Sequence, residues 1–420
     1  MTFRQVLQQI HLWLALTLCI PLVLLGLTGS ILVYHDDFGD WFGESESQIV
    51  AAGEPAPLDV MIAAAQAAAG EGFLPSMVTL GTGEESGPAT IRFAPAPSGQ
   101  SGQQGQQGNM GPGGMGPGGM SGPSVTLDPV SLKVLEVRQG NQRQGGFMGV
   151  MHRLHGSLMI PGLGRDIVGW LGIVMVFLGI SGIIMWWPRL DQWRGGQWRQ
   201  ALTIKRGATT LRFNKDLHNT FGFWSLGVFL IVSFTGVYIV YPQPINATVG
   251  LASPVRDLRP NAVTVKPVAG ITVVTPGAAL ALAFEAVAED QSLQSISLPV
   301  RANQPYRFSF ARPDQDGPMF NTNVFVDPYA GRVIEARDPA GYNAGETFAL
   351  YQRPLHYGLG WGPIWKFLVF LSGLLPLLFS ITGITLWWMK RQRRQKAARE
   401  REALQTASPN LPKTPSSASA

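Results

Sequence analysis

Six histidines are the residues of this chain best suited to chemistry, and four of them follow a spacing rule. His11 precedes Gly29 by 18 residues and His218 precedes Gly236 by 18, while His155 precedes Gly182 by 27 and His356 precedes Gly383 by 27. Each of these glycines closes a Ser/Thr-Gly pair: Thr28-Gly29, Ser181-Gly182, Thr235-Gly236 and Thr382-Gly383. Imidazole is a common metal ligand, and two imidazoles can hold one haem iron and pass electrons with little ligand rearrangement. A blander reading makes these interfacial residues whose matched spacing is a relic of duplication, and periodicity alone leaves both open. His152, three residues before His155, shares its face on a helix and is an alternative ligand. His35, beside Asp36 and Asp37, is a weaker metal candidate with no partner in the repeat. Arg153 and Arg353, just before His155 and His356, can pair with haem propionates or be ordinary interfacial arginines.

Other chemistries are excluded. Cys19 is the single cysteine, which removes a disulfide framework, a Cys-based cluster and covalent c-type haem, so any haem is the non-covalent b type. The sequence has no Gly-x-Gly-x-x-Gly loop, Walker A loop, His-Glu-x-x-His or Gly-x-Ser-x-Gly.

The elements that must position the histidines are membrane spans. Four stretches of 21 to 23 residues carry no charge: Leu12 to Tyr34, Ile167 to Pro188, Phe221 to Tyr241 and Phe367 to Met389. Each is long enough to cross about 30 Å of hydrocarbon. The first is too long for a signal peptide and reads as a retained helix. Uncharged spans also argue against an ion-coupled transporter. Lys and Arg crowd the loop at 189–217 and the tail from Lys390, whereas 36–150 holds only Arg92, Lys133, Arg138 and Arg143 against a dozen acids. Basic loops resist translocation, so both termini are expected in the cytoplasm. The net charge of +5 is thus a topology signal and gives no nucleic-acid face.

The expected fold class is a membrane four-helix unit, all-α within the bilayer, with two exported α+β domains and an internal duplication. The segments are 1–35, first span; 36–150, first exported domain; 151–188, second span with its exported approach; 189–217, basic cytoplasmic loop; 218–241, third span; 242–350, second exported domain; 351–389, fourth span with its approach; and 390–420, a basic then disordered tail. Asp128-Pro129 followed by Lys133 to Arg138 parallels Asp327-Pro328 followed by Arg332 to Arg337, each reading as a turn and a short strand. Ala-rich stretches, Leu58 to Ala69 and Pro276 to Ala288, read as helices upstream of strands such as Thr90 to Phe93 and Tyr306 to Phe310. The Gly/Gln/Met-rich insertion at 98–123 reads as flexible, although Met110, Met115 and Met120 can bind a soft ion such as Cu(I). Gly26/Gly29 and Gly179/Gly182 permit close approach of a macrocycle or a neighbouring helix.

The ordered set of histidine-to-glycine spacings, Trp-Trp helix ends (Trp186-Trp187, Trp387-Trp388) and Asp-Pro strand repeats resembles the PepSY-associated transmembrane family over roughly residues 1 to 395. Similar members include iron-regulated inner-membrane proteins and di-haem ferric-siderophore reductases. The resemblance implies two b haems held by His11, His155, His218 and His356, exported PepSY domains, and periplasmic reduction of Fe(III) in a siderophore or other chelate. The electron donor stays unnamed. Because PepSY domains elsewhere serve in peptidase inhibition or signalling, a non-enzymatic membrane sensor with a peptide or protein partner is the alternative.

Overall fold

The computed structural model describes residues 2–35, 38, 51, 53–81, 87–96, 122–140, 146–188, 194, 197–313 and 317–407. Met110, Met115 and Met120 of the insertion, Asp36 and Asp37, and the chain beyond 407 lie outside these residues. Packing divides the chain into two units, one of residues 1–27, 174–230 and 372–420, the other of 28–173 and 231–371.

Four long helices carry the apolar sequence: α1 (Phe3–Val33), α4 (Gly164–Trp186), α5 (Thr210–Val240) and α9 (Gly362–Ala407). The last three are each long and apolar enough to cross a membrane. The first qualifies only if two arms, Phe3–Thr17 and Cys19–Val33, count as one span, because they bend by 67°. Pro21 accounts for the bend: its ring removes an N–H and clashes with the carbonyl four residues back, at Thr17, where the first arm ends. In the first unit, Gly26 lets α1 press against α9, since a Cβ there would run into the Gly373 carbonyl and the Pro376 ring. Gly179 does the same against Leu230 of α5. Helix α9 continues through the basic stretch to Ala407, beyond the Ala403 at which the sequence suggests disorder. Its Ala, Glu, Lys and Arg are strong helix formers, and Lys396 pairs with Glu400 one turn on.

The second unit holds an α+β assembly. Helix α2 (Leu58–Ala69) is followed by strands β1 (Phe73–Gly81), β2 (Gly87–Pro95), β3 (Ser124–Leu127) and β4 (Val134–Arg138), then helix α3 (Phe147–Ser157). Past α5 come α6 (Pro242–Val249), α7 (Pro276–Phe284), β5 (Ser292–Ser297), β6 (Tyr306–Ala311), β7 (Thr322–Asp327), β8 (Arg332–Arg337) and α8 (Ala344–Tyr357). The order helix, four strands, helix, long apolar helix therefore occurs twice. Both Ala-rich stretches are helical, although α7 ends four residues short of Ala288.

The strands of the two segments expected as exported α+β domains join in one eight-stranded antiparallel sheet in the order β4-β3-β2-β1-β5-β6-β7-β8. Strands β1 and β5, each the outer strand of its own half, pair Met77 with Ser297, Val78 with Ile296 and Thr79 with Ser295. This satisfies backbone groups that would otherwise be an open edge, and it buries Val78 and Ile296 fully. One core results, with Met61 and Ala65 of α2 and Ala279 and Ala283 of α7 on the face that carries Ile91, Val125, Phe308 and Val324. The helices also meet each other, where the Gly277 N–H donates to the Asp59 carboxylate at 3.0 Å. Both Asp-Pro motifs are Asx turns: Asp128 accepts from the Val130 N–H at 2.9 Å, and Asp327 from the Tyr329 N–H at 2.8 Å.

Candidate functional site

The four spaced histidines share one local arrangement: each ring sits on the Ser/Thr-Gly pair of a different helix. In the first unit His11 of α1 meets Ser181 of α4, Nδ1 to Oγ 2.7 Å, and His218 of α5 meets Thr382 of α9, Nδ1 to Oγ1 2.8 Å. In the second unit His155 of α3 meets Thr28 of α1 at 3.3 Å, and His356 of α8 meets Thr235 of α5 at 3.1 Å. The glycine beside each hydroxyl makes the room. A Cβ on Gly29 would lie 2.9 Å from His155 Cε1, closer than real Cβ contacts come, and one on Gly236 3.0 Å from His356 Cε1, where the ring would have to shift. At Gly182 and Gly383 the corresponding distance to His11 and His218 is 3.9 Å, an ordinary contact.

Three of these hydroxyls also have a carbonyl of their own helix to donate to. The Thr382 hydroxyl donates to the Leu378 carbonyl at 2.8 Å, the Thr235 hydroxyl to Ile231 at 2.8 Å and the Ser181 hydroxyl to Leu178 at 3.2 Å. A hydroxyl that donates along its own helix is left to accept from imidazole. For His356 the assignment is independent of the hydroxyl, because the Val232 carbonyl 2.9 Å from Nδ1 can only accept, so the proton lies on Nδ1. In that tautomer Nε2 carries the lone pair, the form in which neutral histidine binds a metal with its other nitrogen held.

The histidines of the first unit line one cavity of about 1220 Å³. That exceeds the roughly 300–1,000 Å³ of usual small-molecule pockets. Apolar and aromatic groups, among them Trp186, Phe229, Phe379 and Trp387, form its walls. Arg4, Arg212, Lys215, Lys390, Arg391 and Arg394 also line it, against one acid, Asp216. Arg4 is already engaged, donating to the carbonyls of Met185 and Trp187 at the end of α4. In the second unit the His155 and His356 rings lie with centroids 6.0 Å apart and planes inclined by 43°. Two imidazole nitrogens each about 2.0 Å from a shared metal place their ring centres about 6 Å apart, so the pair is close enough for both rings to hold one metal ion. Among the described residues no group of three or more His, Cys, Asp or Glu side chains could hold a metal ion.

The remaining sequence candidates separate from this set. His152 donates from Nδ1 to the Met148 carbonyl of its own helix at 3.2 Å, and its ring stands edge-on to His35 at 6.4 Å. It occupies no Ser/Thr-Gly seat. Arg353 lies three residues before His356 and so shares its face, near Tyr238. Arg153 lies two before His155 and so points elsewhere on α3. Sequence reasoning missed two things: the hydroxyls as the groups that hold the imidazoles, and the basic residues as part of a cavity wall.

Comparison with curated proteins gives no match. The family model described as "PepSY-associated TM region" matches residues 8–391, nearly the whole chain, and the protein belongs to that family.

Proposed function

We propose that the protein is a haem b electron carrier of a bacterial inner membrane that reduces ferric iron, free or held in a siderophore, on the exported side. The observation that carries this reading is that all four spaced histidines have Nδ1 within hydrogen-bonding reach of a Ser/Thr hydroxyl on another helix. His11 and His218 would hold one haem and His155 and His356 the other. Bound haem supplies reversible one-electron chemistry without ligand exchange. The protein's own part is positional and electrostatic. Ser181, Thr382, Thr28 and Thr235 would orient the imidazoles, the apolar walls would exclude water, and Arg212, Lys215, Lys390, Arg391 and Arg394 would offset propionate charge.

The same reading takes the chain as a tandem duplication with four spans, α1 counting as one despite its bend. The basic loop and tail support cytoplasmic termini, and a shared sheet would then lie outside with the acceptor. A reduced ion leaves because siderophores bind Fe(II) poorly. Electrons would come from a cytoplasmic reductase, a reduced flavin or quinol.

Mixing dithionite-reduced protein with excess Fe(III) chelate and an Fe(II) indicator tests the reading. Reoxidation of the pigment with matching Fe(II) formation is expected for wild type, and loss of it in His11→Ala, His155→Ala, His218→Ala and His356→Ala. A pigment that stays reduced rejects the reductase, and a colourless protein made with ample haem favours the sensor.

A further inference from the structure

The sheet has a second face, and its composition is unlike that of the core face. Alternation along the strands places on it the residues between those packed under α2 and α7. Strand register lines them up in cross-strand rows. One row reads Thr126, Thr90, Thr79, Ser295, Ser309 and Asn323, a ribbon of hydroxyls and an amide across six strands. The adjacent row reads Arg92, Met77, Ser297, Arg307 and Phe325, with the β1–β5 seam between Met77 and Ser297.

The arginines of this face differ in how they are neutralised. At the flanks, Arg138 pairs with Glu136, and Arg337 lies 3.0 Å from Glu335. Arg307 in the middle has no such partner. Among the described residues it donates from Nε and Nη2 to the Ser297 hydroxyl, at 3.3 and 2.8 Å, and no carboxylate reaches it. Burial pushes its guanidinium below the ordinary value with no acid to offset it. A desolvated cation without a counter-ion is costly, and its free N–H groups form a fork that fits carboxylate-type oxygens. Arg92 sits in the same row, three strands away, or about 14 Å at about 4.8 Å per strand.

We propose that this face is a binding site for a small oxygen-rich anion, an anionic metal chelate, with Arg307 as its principal contact and the Ser297, Ser295 and Thr79 hydroxyls beside it. The proposal deepens the reductase reading by giving its acceptor a place to dock, but its test needs no electron transfer. Gallium(III) citrate, which is redox-inert, is titrated into the full-length protein in detergent, and binding is followed calorimetrically at low and high salt. Wild type should bind, more weakly as salt rises. Arg307→Gln should lose about 10- to 100-fold in affinity, the worth of a charge-assisted pair of hydrogen bonds. Arg307→Lys, which keeps the charge and loses the fork, should fall between, and Arg301→Gln, on an exposed turn, should match wild type. Should Arg307→Gln fail to fold, the Lys variant and Ser297→Ala decide. Wild type that does not bind millimolar gallium citrate, or folded Arg307 variants that bind it as wild type does, would overturn the proposal. A colourless protein that still binds it sinks the haem reading alone.

Discussion

At the scale of residues, the site rests on single protons. A serine or threonine inside a helix often returns its hydroxyl proton to the carbonyl one turn back, and Ser181, Thr235 and Thr382 each have such a carbonyl in reach. An imidazole that meets a hydroxyl so engaged donates from Nδ1 and keeps Nε2 for a metal. Removing the hydroxyl while keeping the shape should therefore loosen a ligand without unfolding a helix. Thr382→Val is expected to raise the rate at which haem passes to an apo-globin acceptor by about 10- to 100-fold, the usual cost of deleting a group that orients a metal-binding histidine. Thr382→Ser should restore it, and a Val variant with wild-type transfer would show that the hydroxyl holds nothing. The four Ser/Thr-Gly pairs and four histidines are legible in the sequence, but their partnership is not. Spacing relates His11 to Gly29 on its own helix, whereas the fold gives Gly29 to His155 and seats His11 on Ser181, 170 residues away. Only the packing of the helices reveals that exchange.

At the scale of elements, the Ala-rich helices, the Asp-Pro turns and the apolar stretches follow from local chemistry and are readable in order. What could not be read was the edge at which the two halves of the sheet join. Strand β1 has Leu74, Met77, Val78 and Leu80 and β5 has Leu293 and Ile296, neither with the charged residues that guard an open edge. A sequence presents the two strands more than two hundred positions apart, so each half looks self-sufficient. Residues 242–350 produced alone should accordingly expose β5 and self-associate, which sedimentation velocity would detect; a stable monomer would contradict the shared sheet. The kink in α1 was readable and overlooked, since Pro21 inside an apolar run forces a break at Thr17. The Asp-Pro turns carry a smaller signature: Gly331 and Leu132 hold the same left-handed conformation, φ 59° and 60°. Gly331→Ala should cost about 1–2 kcal/mol, seen as a lower melting midpoint, because that conformation crowds a Cβ. Its absence would mean the turn relaxes.

At the scale of the whole molecule, the proposal rests orientation on charge and function on the histidine pairs. Reporters fused after Arg199 or Arg394 should read cytoplasm and those at Gly105 or Asp314 the exported side, because the loop at 189–217 and the tail are basic whereas 36–150 and 242–355 are not. A cytoplasmic signal from Gly105 would remove the four-span arrangement. The central claim, that two histidine pairs each hold a b haem, is reached most directly by an optical spectrum of the full-length protein purified in detergent from haem-replete cells, oxidised and then reduced with dithionite. The account predicts a red protein with a low-spin spectrum that sharpens on reduction. It also predicts haem extractable by acidified solvent as a b-type pyridine haemochrome, two per chain in wild type and about one in any of the four His→Ala variants. A colourless protein, haem that resists extraction, or four variants with full pigment would contradict it.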